Sequence, residues 1–162
     1  MVSSCSCADE SRQAEEVNLQ PIVSNIVSGD FDVRCEAVRV IATMTATASV
    51  ERIRHLTEQC NVLEPLSSVL NSMDPRVCVP ALQSLQAILT VGDSFRSQNE
   101  GRNPYADRIE LIGGREAISR LRDHICHTVF IHAVTIMERY FDDGEEEAGG
   151  AWGDEEAPVD QE

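Results

Sequence analysis

Laid against itself, the chain repeats with a period of 44 residues. The segment from Pro21, PIVSNIVSGDFDVRCEAVRVIATM, falls without a gap on the segment from Pro65, PLSSVLNSMDPRVCVPALQSLQAI, so that Asp30 meets Asp74. In that register Val33, Ala37, Ile41 and Met44 meet Val77, Ala81, Leu85 and Ile88. A further shift of 52 carries the latter four onto Val129, Ala133, Met137 and Tyr140. A period of this length means stacked units, each burying its apolar face against the next, so the chain folds as a quasi-one-dimensional array.

The stripe also identifies the secondary structure of the unit. Its spacing of +4, +8 and +11 is the buried side of an α-helix, since a strand would alternate every second residue. A shorter helical pattern precedes it, with Leu19, Ile22, Val23 and Ile26 in the first copy, Leu66, Val69 and Leu70 in the second, and Ile118 and Leu121 in the third. Gly29 is expected to end the first short helix in a left-handed conformation, with Asp30 capping the long one; Asp74-Pro75 does the same with proline at the first helical position. Short amphipathic stretches near residues 49–59 and 104–112 bring the unit to three helices, which is the armadillo length and plan.

The expected fold is therefore all-α, an armadillo-repeat α-solenoid of about three repeats at residues 11–48, 49–92 and 104–141. The polar run from Gly92 to Pro104 accounts for the eight extra residues of the second shift and is expected to be a loop over 93–103. Pro80, five residues after Pro75, predicts a kink or a delayed helix start. Residues 1–10 and 142–162 have no periodicity and are expected to be disordered tails.

Charge narrows the choice of partner. The chain carries 13 Lys+Arg against 28 Asp+Glu, a formal net charge of −15. That argues against nucleic acid as a partner, because phosphate affinity is built from neutralising Lys and Arg. Basic partners fit better. Ten of the acids and none of the bases lie in residues 142–162, so the body is only mildly acidic. All 13 bases are arginine, which removes lysine Schiff-base chemistry and a P-loop. No basic segment leads into an apolar one at the N-terminus, and no run of 18 apolar residues occurs later. A soluble chain with no membrane partner is the expectation. In the cytosol or nucleus its six cysteines would be reduced, with Cys35, Cys78 and Cys126 in apolar helical surroundings.

No catalytic or cofactor motif is present. G-x-S-x-G, H-E-x-x-H, P-loop and dinucleotide patterns are absent, so neither an enzyme nor a cofactor is expected. His124, Cys126, His127 and His132 come nearest to a zinc set. On a helix, however, Cys126 points away from His124 and His127, and His132 lies five residues past His127, so no metal is expected. Gly113-Gly114 reads as a helix–helix turn whose missing side chains permit close stacking.

Several of these residues carry a family resemblance. The chain resembles the C-terminal part of importin-α, the armadillo adaptors that carry nuclear-localisation-signal cargo, over nearly all of residues 11–150. Ile109-Glu110-Leu111-Ile112-Gly113-Gly114-Arg115-Glu116-Ala117-Ile118 and Leu121-Arg122-Asp123-His124 are similar to the family's "IEECGG…I..LQ.H" region. Met137-Glu138-Arg139-Tyr140-Phe141 and the acidic run after it are similar to its "IEKYF" and acidic tail. Gly29-Asp30-Phe31 with Cys35-Glu36-Ala37-Val38, and Asn61-Val62-Leu63-Glu64-Pro65-Leu66, resemble its eighth and ninth repeats.

The resemblance implies a right-handed superhelix of repeats eight to ten, without the importin-β-binding arm and the repeats of the major signal site. It also implies a groove for basic nuclear-localisation-signal peptides. In the family, a Trp and, four residues on, an Asn hold such ligands: the indole packs on Lys and Arg stems and charges, and the amide clamps the peptide backbone. The matching positions here are Arg39 and Thr43, so that pair is absent. Glu36 shares their helical face, and Gln83 lies one period on from Arg39. Arg39 is expected to pair with Glu36 on a solvated wall, leaving a degenerate groove of Glu36, Arg39, Thr43 and Gln83.

A second surface is implied at the tenth repeat and tail, at Arg120, Glu138, Tyr140, Phe141, Asp142, Asp143, Glu145, Glu146 and Glu147. There the family is held by its export receptor and touched by a nucleoporin. Two functions follow as expectations. One is a partial or degenerate importin-α-like nuclear transport adaptor, shuttling between cytoplasm and nucleus. The other is an armadillo scaffold that has lost cargo binding and engages only partners of its C-terminal repeat. Without a preceding repeat, the helix around Val17 to Val27 is expected to expose an apolar face and to favour self-association.

Overall fold

The structure, a computed structural model, describes residues 18–142; the tails expected to be disordered, apart from Asp142, lie outside the described residues. The α-helices are α1 (Gln20–Ser28), α2 (Phe31–Ala46), α3 (Val50–Glu58), α4 (Leu63–Val69), α5 (Pro75–Gly92), α6 (Pro104–Leu111), α7 (Gly114–Arg120) and α8 (His127–Ile136). Short 3-10 helices follow α4, α5 and α7, and α8 ends in a π-helical turn at Met137–Phe141. Among the described residues there is no strand.

The helices stack as an armadillo solenoid. α2 packs along α5 and α5 along α8, while α1 lies against α4 and α4 against α7. The seam between the long helices is the apolar stripe: Val77, Ala81, Leu85, Ile88, Val129 and Ala133 are fully buried. One core cluster runs from Leu19 to Phe141. In the first copy Ala37 and Ile41 are buried, but Val33 is 44% exposed. Its counterpart Val77 sits inside the stack, whereas α2 has no earlier long helix to cover it among the described residues.

Local chemistry explains most boundaries. Asp74 caps α5, its carboxylate accepting from the Arg76 N–H at 2.9 Å, and Pro75 takes the first helical position. The first turn works differently from the expectation. Gly29 is extended (φ −71°, ψ 155°), not left-handed, and the Asp30 carboxylate makes no capping hydrogen bond. Glycine is required there for space, because a Cβ would lie 2.5 Å from the Asn25 carbonyl oxygen.

Pro80 does not delay α5, which starts at Pro75 and runs through it to Gly92. The donor that proline lacks would have met the carbonyl of Arg76, an exposed residue of the first turn, where water can serve instead. The expected loop is also partly regular. α5 passes directly into a 3-10 helix over Asp93–Gln98, and Phe95 meets Tyr105 edge to face at 6.2 Å.

Asn103 closes this insertion. Its buried amide donates to the Leu89 carbonyl at 2.7 Å and to the Asp93 carboxylate at 3.0 Å. Its oxygen accepts from the N–H groups of Tyr105 and Ala106 at the start of α6. Gly113 adopts φ +78°, and Gly114 is buried where a Cβ would lie 2.6 Å from Ile109 Cγ2 and 2.7 Å from Ser67 Oγ. This turn is built as the sequence suggests, with α7 drawn close to α4.

The two joints of the stack differ in kind. Between the second and third units, Arg108 donates to the Thr57 carbonyl at 3.1 Å and to Asn61 Oδ1 at 2.9 Å. Thr90 Oγ1 meets the Tyr140 hydroxyl at 3.1 Å, and His132 Nδ1 meets Gln86 Oε1 at 3.2 Å. The joint between the first and second units has an apolar seam, with Arg76 lying 4.5 Å over the Phe31 ring. Among the described residues no side-chain hydrogen bond crosses that first joint.

Candidate functional site

The residues expected to form a groove sit on α2 and α5, neighbouring helices of the stack. Glu36 and Arg39 are one helical turn apart and form an ion pair of 3.1 Å, both about two-thirds exposed. In water such a pair is worth only about 0.5 kcal/mol. Thr43 spends its hydroxyl on the Arg39 carbonyl at 3.0 Å, so it offers no free donor to a ligand. Gln83 is exposed on α5.

Next to this wall lies a feature that the repeat pattern alone assigned to the core. α1 and α2 flank an open, almost wholly apolar trough of about 410 Å³, lined by Ile22, Val33, Ala37 and Val40, with Asn25, Asp32 and Glu36 also on its walls. Apolar walls with two carboxylates suit a ligand that carries both aliphatic and basic side chains. Long Arg and Lys stems have that character.

The C-terminal surface divides in two. Arg120 and Glu138 are exposed, and no hydrogen bond or ion pair joins them among the described residues. Tyr140 and Phe141 are buried, 7% and 4% exposed, so they are core residues and not part of a contact surface. The reason is their position: Tyr140 continues the apolar stripe and anchors its hydroxyl on Thr90. Asp142 is exposed. Asp143, Glu145, Glu146 and Glu147 lie outside the described residues.

The histidines and cysteines occupy separate places. His124 Nδ1 accepts from the Cys126 N–H at 2.9 Å, which leaves Nε2 as the protonated nitrogen, donating to the Met73 carbonyl at 2.8 Å. His127 stacks on Phe130 at 6.2 Å, and burial holds His132 below the ordinary imidazole range. Among the described residues no group of three or more His, Cys, Asp or Glu is arranged to hold a metal ion. Cys35, Cys60 and Cys78 are buried free thiols; Cys126 is half-buried ahead of α8. Burial pushes the Cys78 thiol up to about 11, which keeps it a poor nucleophile. No described helix is long and apolar enough to cross a membrane.

Two polar residues that organise the third unit went unread in the sequence. Arg108 ties α6 back to the second unit, and no local pattern marks it. Asn103 had a signal, since Asn followed by Pro104 is a cap residue ahead of a first-turn proline.

Comparison with known proteins agrees with this architecture. Residues 103–158 match the family model of the atypical Arm repeat. The chain is 34% identical over 129 residues to importin subunit alpha-4 of Arabidopsis thaliana, covering 78% of this chain and 24% of that protein. It is 30% identical over 124 residues to importin subunit alpha-5 of the same plant, covering 76% and 24%. Importin subunit alpha-1b of Oryza sativa subsp. japonica is 30% identical over 131 residues, covering 80% and 24%. The chain thus spans about a quarter of the length of the curated relatives it matches. With an armadillo stack of three units, and with 34% identity over 78% of its length to an importin-α subunit, the chain belongs to the importin-α family.

Proposed function

We propose that the chain is an importin-α-type adaptor module of nuclear transport that works by protein–protein binding, with a degenerate basic-peptide groove in its first unit and a partner surface at its last. What carries this reading is the stack itself, an armadillo array on a chain that is 34% identical over 129 residues to an importin-α subunit. The groove residues are Glu36, Arg39, Thr43 and Gln83. A basic peptide would lay its stems on the apolar trough and compete with Arg39 for Glu36. Displacing Arg39 costs little, because the pair is solvated, but its like charge stays nearby. Weak, salt-sensitive binding is the consequence.

The Glu36–Arg39 pair favours a second reading, an armadillo scaffold that no longer reads cargo and engages only partners of its last unit. Arg120, Glu138 and the acidic residues from Asp142 onward would then be the working surface, for an export receptor or a nucleoporin. Shuttling between cytoplasm and nucleus goes with either reading.

Titration of the chain with a fluorescent bipartite basic signal peptide, and in parallel with the export receptor, separates the two. Saturable peptide binding that is lost on Glu36→Arg supports the adaptor. Receptor binding alone supports the scaffold, and binding of neither refutes both.

A further inference from the structure

Each long helix of a stack has one face toward the unit before it and one toward the unit after it, and the contacts at the two joints identify both. On the forward face, Phe31 of α2 lies under Arg76 of α5 at 4.5 Å, while Gln86 and Thr90 of α5 meet His132 and Tyr140 of α8. Carried by the shifts of 44 and 52, Phe31 falls on His127 of α8 and Gln86 on Glu138. Between them, on the same side of the helix, come Phe130, Ile131 and Val134. Cys78 and Leu82, the residues of α5 that match Phe130 and Val134, are fully buried, yet Phe130 is 39% exposed and Ile131 45%. Among the described residues no later long helix covers them. His127 stacks on Phe130 at 6.2 Å, which makes this face an aromatic platform.

The backward face of α2 is the open trough. Its Asp32, Val33, Glu36, Ala37 and Val40 match positions 128, 129, 132, 133 and 136 of α8, where Val129, Ala133 and Ile136 are fully buried and His132 bonds across the joint. The two uncovered faces are thus the two halves of a joint that the stack already builds twice. Their polar residues fit as well. In the first joint Arg76 lies on Phe31; in the joint between the uncovered faces Asp32 takes the place of Arg76 and His127 that of Phe31, which sets a carboxylate against an imidazole N–H donor. One pair is mismatched, because Gln86 and His132 become Glu138 and Glu36. The Arg39 guanidinium, 3.1 Å from Glu36, lies on that side.

We propose that the chain associates head to tail with a second copy of itself, the α8 face of one copy (His127, Phe130, Ile131 and Val134) seated in the α1–α2 trough of the next, so that the seam of the stack continues from copy to copy. Such a contact is heterologous and leaves one free face at each end of the pair, so it propagates into open chains. Each copy carries a net charge of −15, and salt that screens this repulsion favours assembly, the reverse of the salt response of the basic-peptide contact. The inference rests on the repeat geometry and not on the transport reading. A basic peptide lying in the trough would compete with the neighbouring copy.

Sedimentation velocity of the full chain over a range of concentrations tests this. The average mass is expected to rise past that of a dimer, and to do so more steeply at about 0.15 M than at about 0.01 M salt. Two full-length variants each block one end: Val33→Glu with Val40→Glu, and Phe130→Glu with Ile131→Glu. Each alone should stay monomeric, whereas an equimolar mixture should form a one-to-one dimer and go no further, because one variant keeps the α8 face and the other keeps the trough. Misfolding cannot mimic that complementation. Glu138→Arg, which removes the mismatch with Glu36, should tighten association by up to about fivefold. A wild-type chain that is monomeric at every concentration overturns the proposal. So does either blocked variant that still associates by itself, a mixture that remains monomeric, or a Glu138→Arg chain that associates more weakly.

Discussion

Removing the Asn103 side chain tests whether the insertion between the second and third units is a structural joint or merely a connection. In Asn103→Ala, α6 loses its cap, about 1 kcal/mol, and the two bonds from the amide to Leu89 and Asp93 are lost at about 1 kcal/mol each. The sum is about 3 kcal/mol. With a urea m-value of about 2 kcal/mol per molar, the midpoint of unfolding should fall by about 1.5 M. Asn103→Ser keeps the cap and loses only the donors, so about 2 kcal/mol is expected. Asn103→Asp keeps the cap too, but it turns a carboxylate toward the Leu89 carbonyl and the Asp93 carboxylate, and it should be at least as damaging as alanine. Gly92→Ala reaches the same site from the other side, because a Cβ there would overlap the Asn103 amide. Its effect should therefore be far less than additive with Asn103→Ala. Urea titrations followed by circular dichroism check the series. A loss under about 0.5 kcal/mol for Asn103→Ala, or a neutral Asn103→Asp, would refute the reasoning.

Three further outcomes are expected. Ser67 Oγ is buried without a hydrogen-bond partner among the described residues, so Ser67→Ala should be neutral or stabilising by up to about 1 kcal/mol in thermal melts; a clear loss would mean the hydroxyl has a bonding role. Burial depresses the pKa of His132 below 6.5, so the unfolded chain takes up a proton that the folded one resists. Stability should then decline as the pH falls from 6.5 toward the folded value, and His132→Gln should flatten that part of the curve. Exposed Val33 and Val40 on the open trough should drive concentration-dependent association, visible by light scattering and lost in Val33→Glu with Val40→Glu; identical mass for both proteins at all concentrations would contradict this.

The repeat made the stack legible because stacking is itself periodic: the residues that match at shifts of 44 and 52 are those that bury against neighbouring helices. Caps were legible where residue type decides, as at Asp74-Pro75. They were misread where space decides. Gly29 serves the close approach of the Asn25 carbonyl rather than a positive φ, and composition does not distinguish the two uses of glycine. Tyr140 belongs by sequence both to the stripe and to the expected contact surface, and Phe141 to the contact surface alone; the structure buries both. Arg96, Arg102, Arg115 and Arg139 line one small pocket and carry no mark in the sequence for a different reason: three lie in helical turns and Arg102 in a connection, and only the turns between α5, α6 and α7 bring them together. The wall of Glu36 and Arg39 was readable because both lie within one turn of a single helix.

The contrast between the two joints bears on how the stack responds to temperature. Apolar association weakens on cooling, since its driving force near room temperature is largely entropic and carries a large heat-capacity change. Directed bonds such as Arg108 to Thr57 and Asn61, or Tyr140 to Thr90, do not share that signature. A chilled chain would accordingly loosen first between α2 and α5 while α5 and α8 stayed locked, turning a uniform rod into a short rigid block with a cold-softened end.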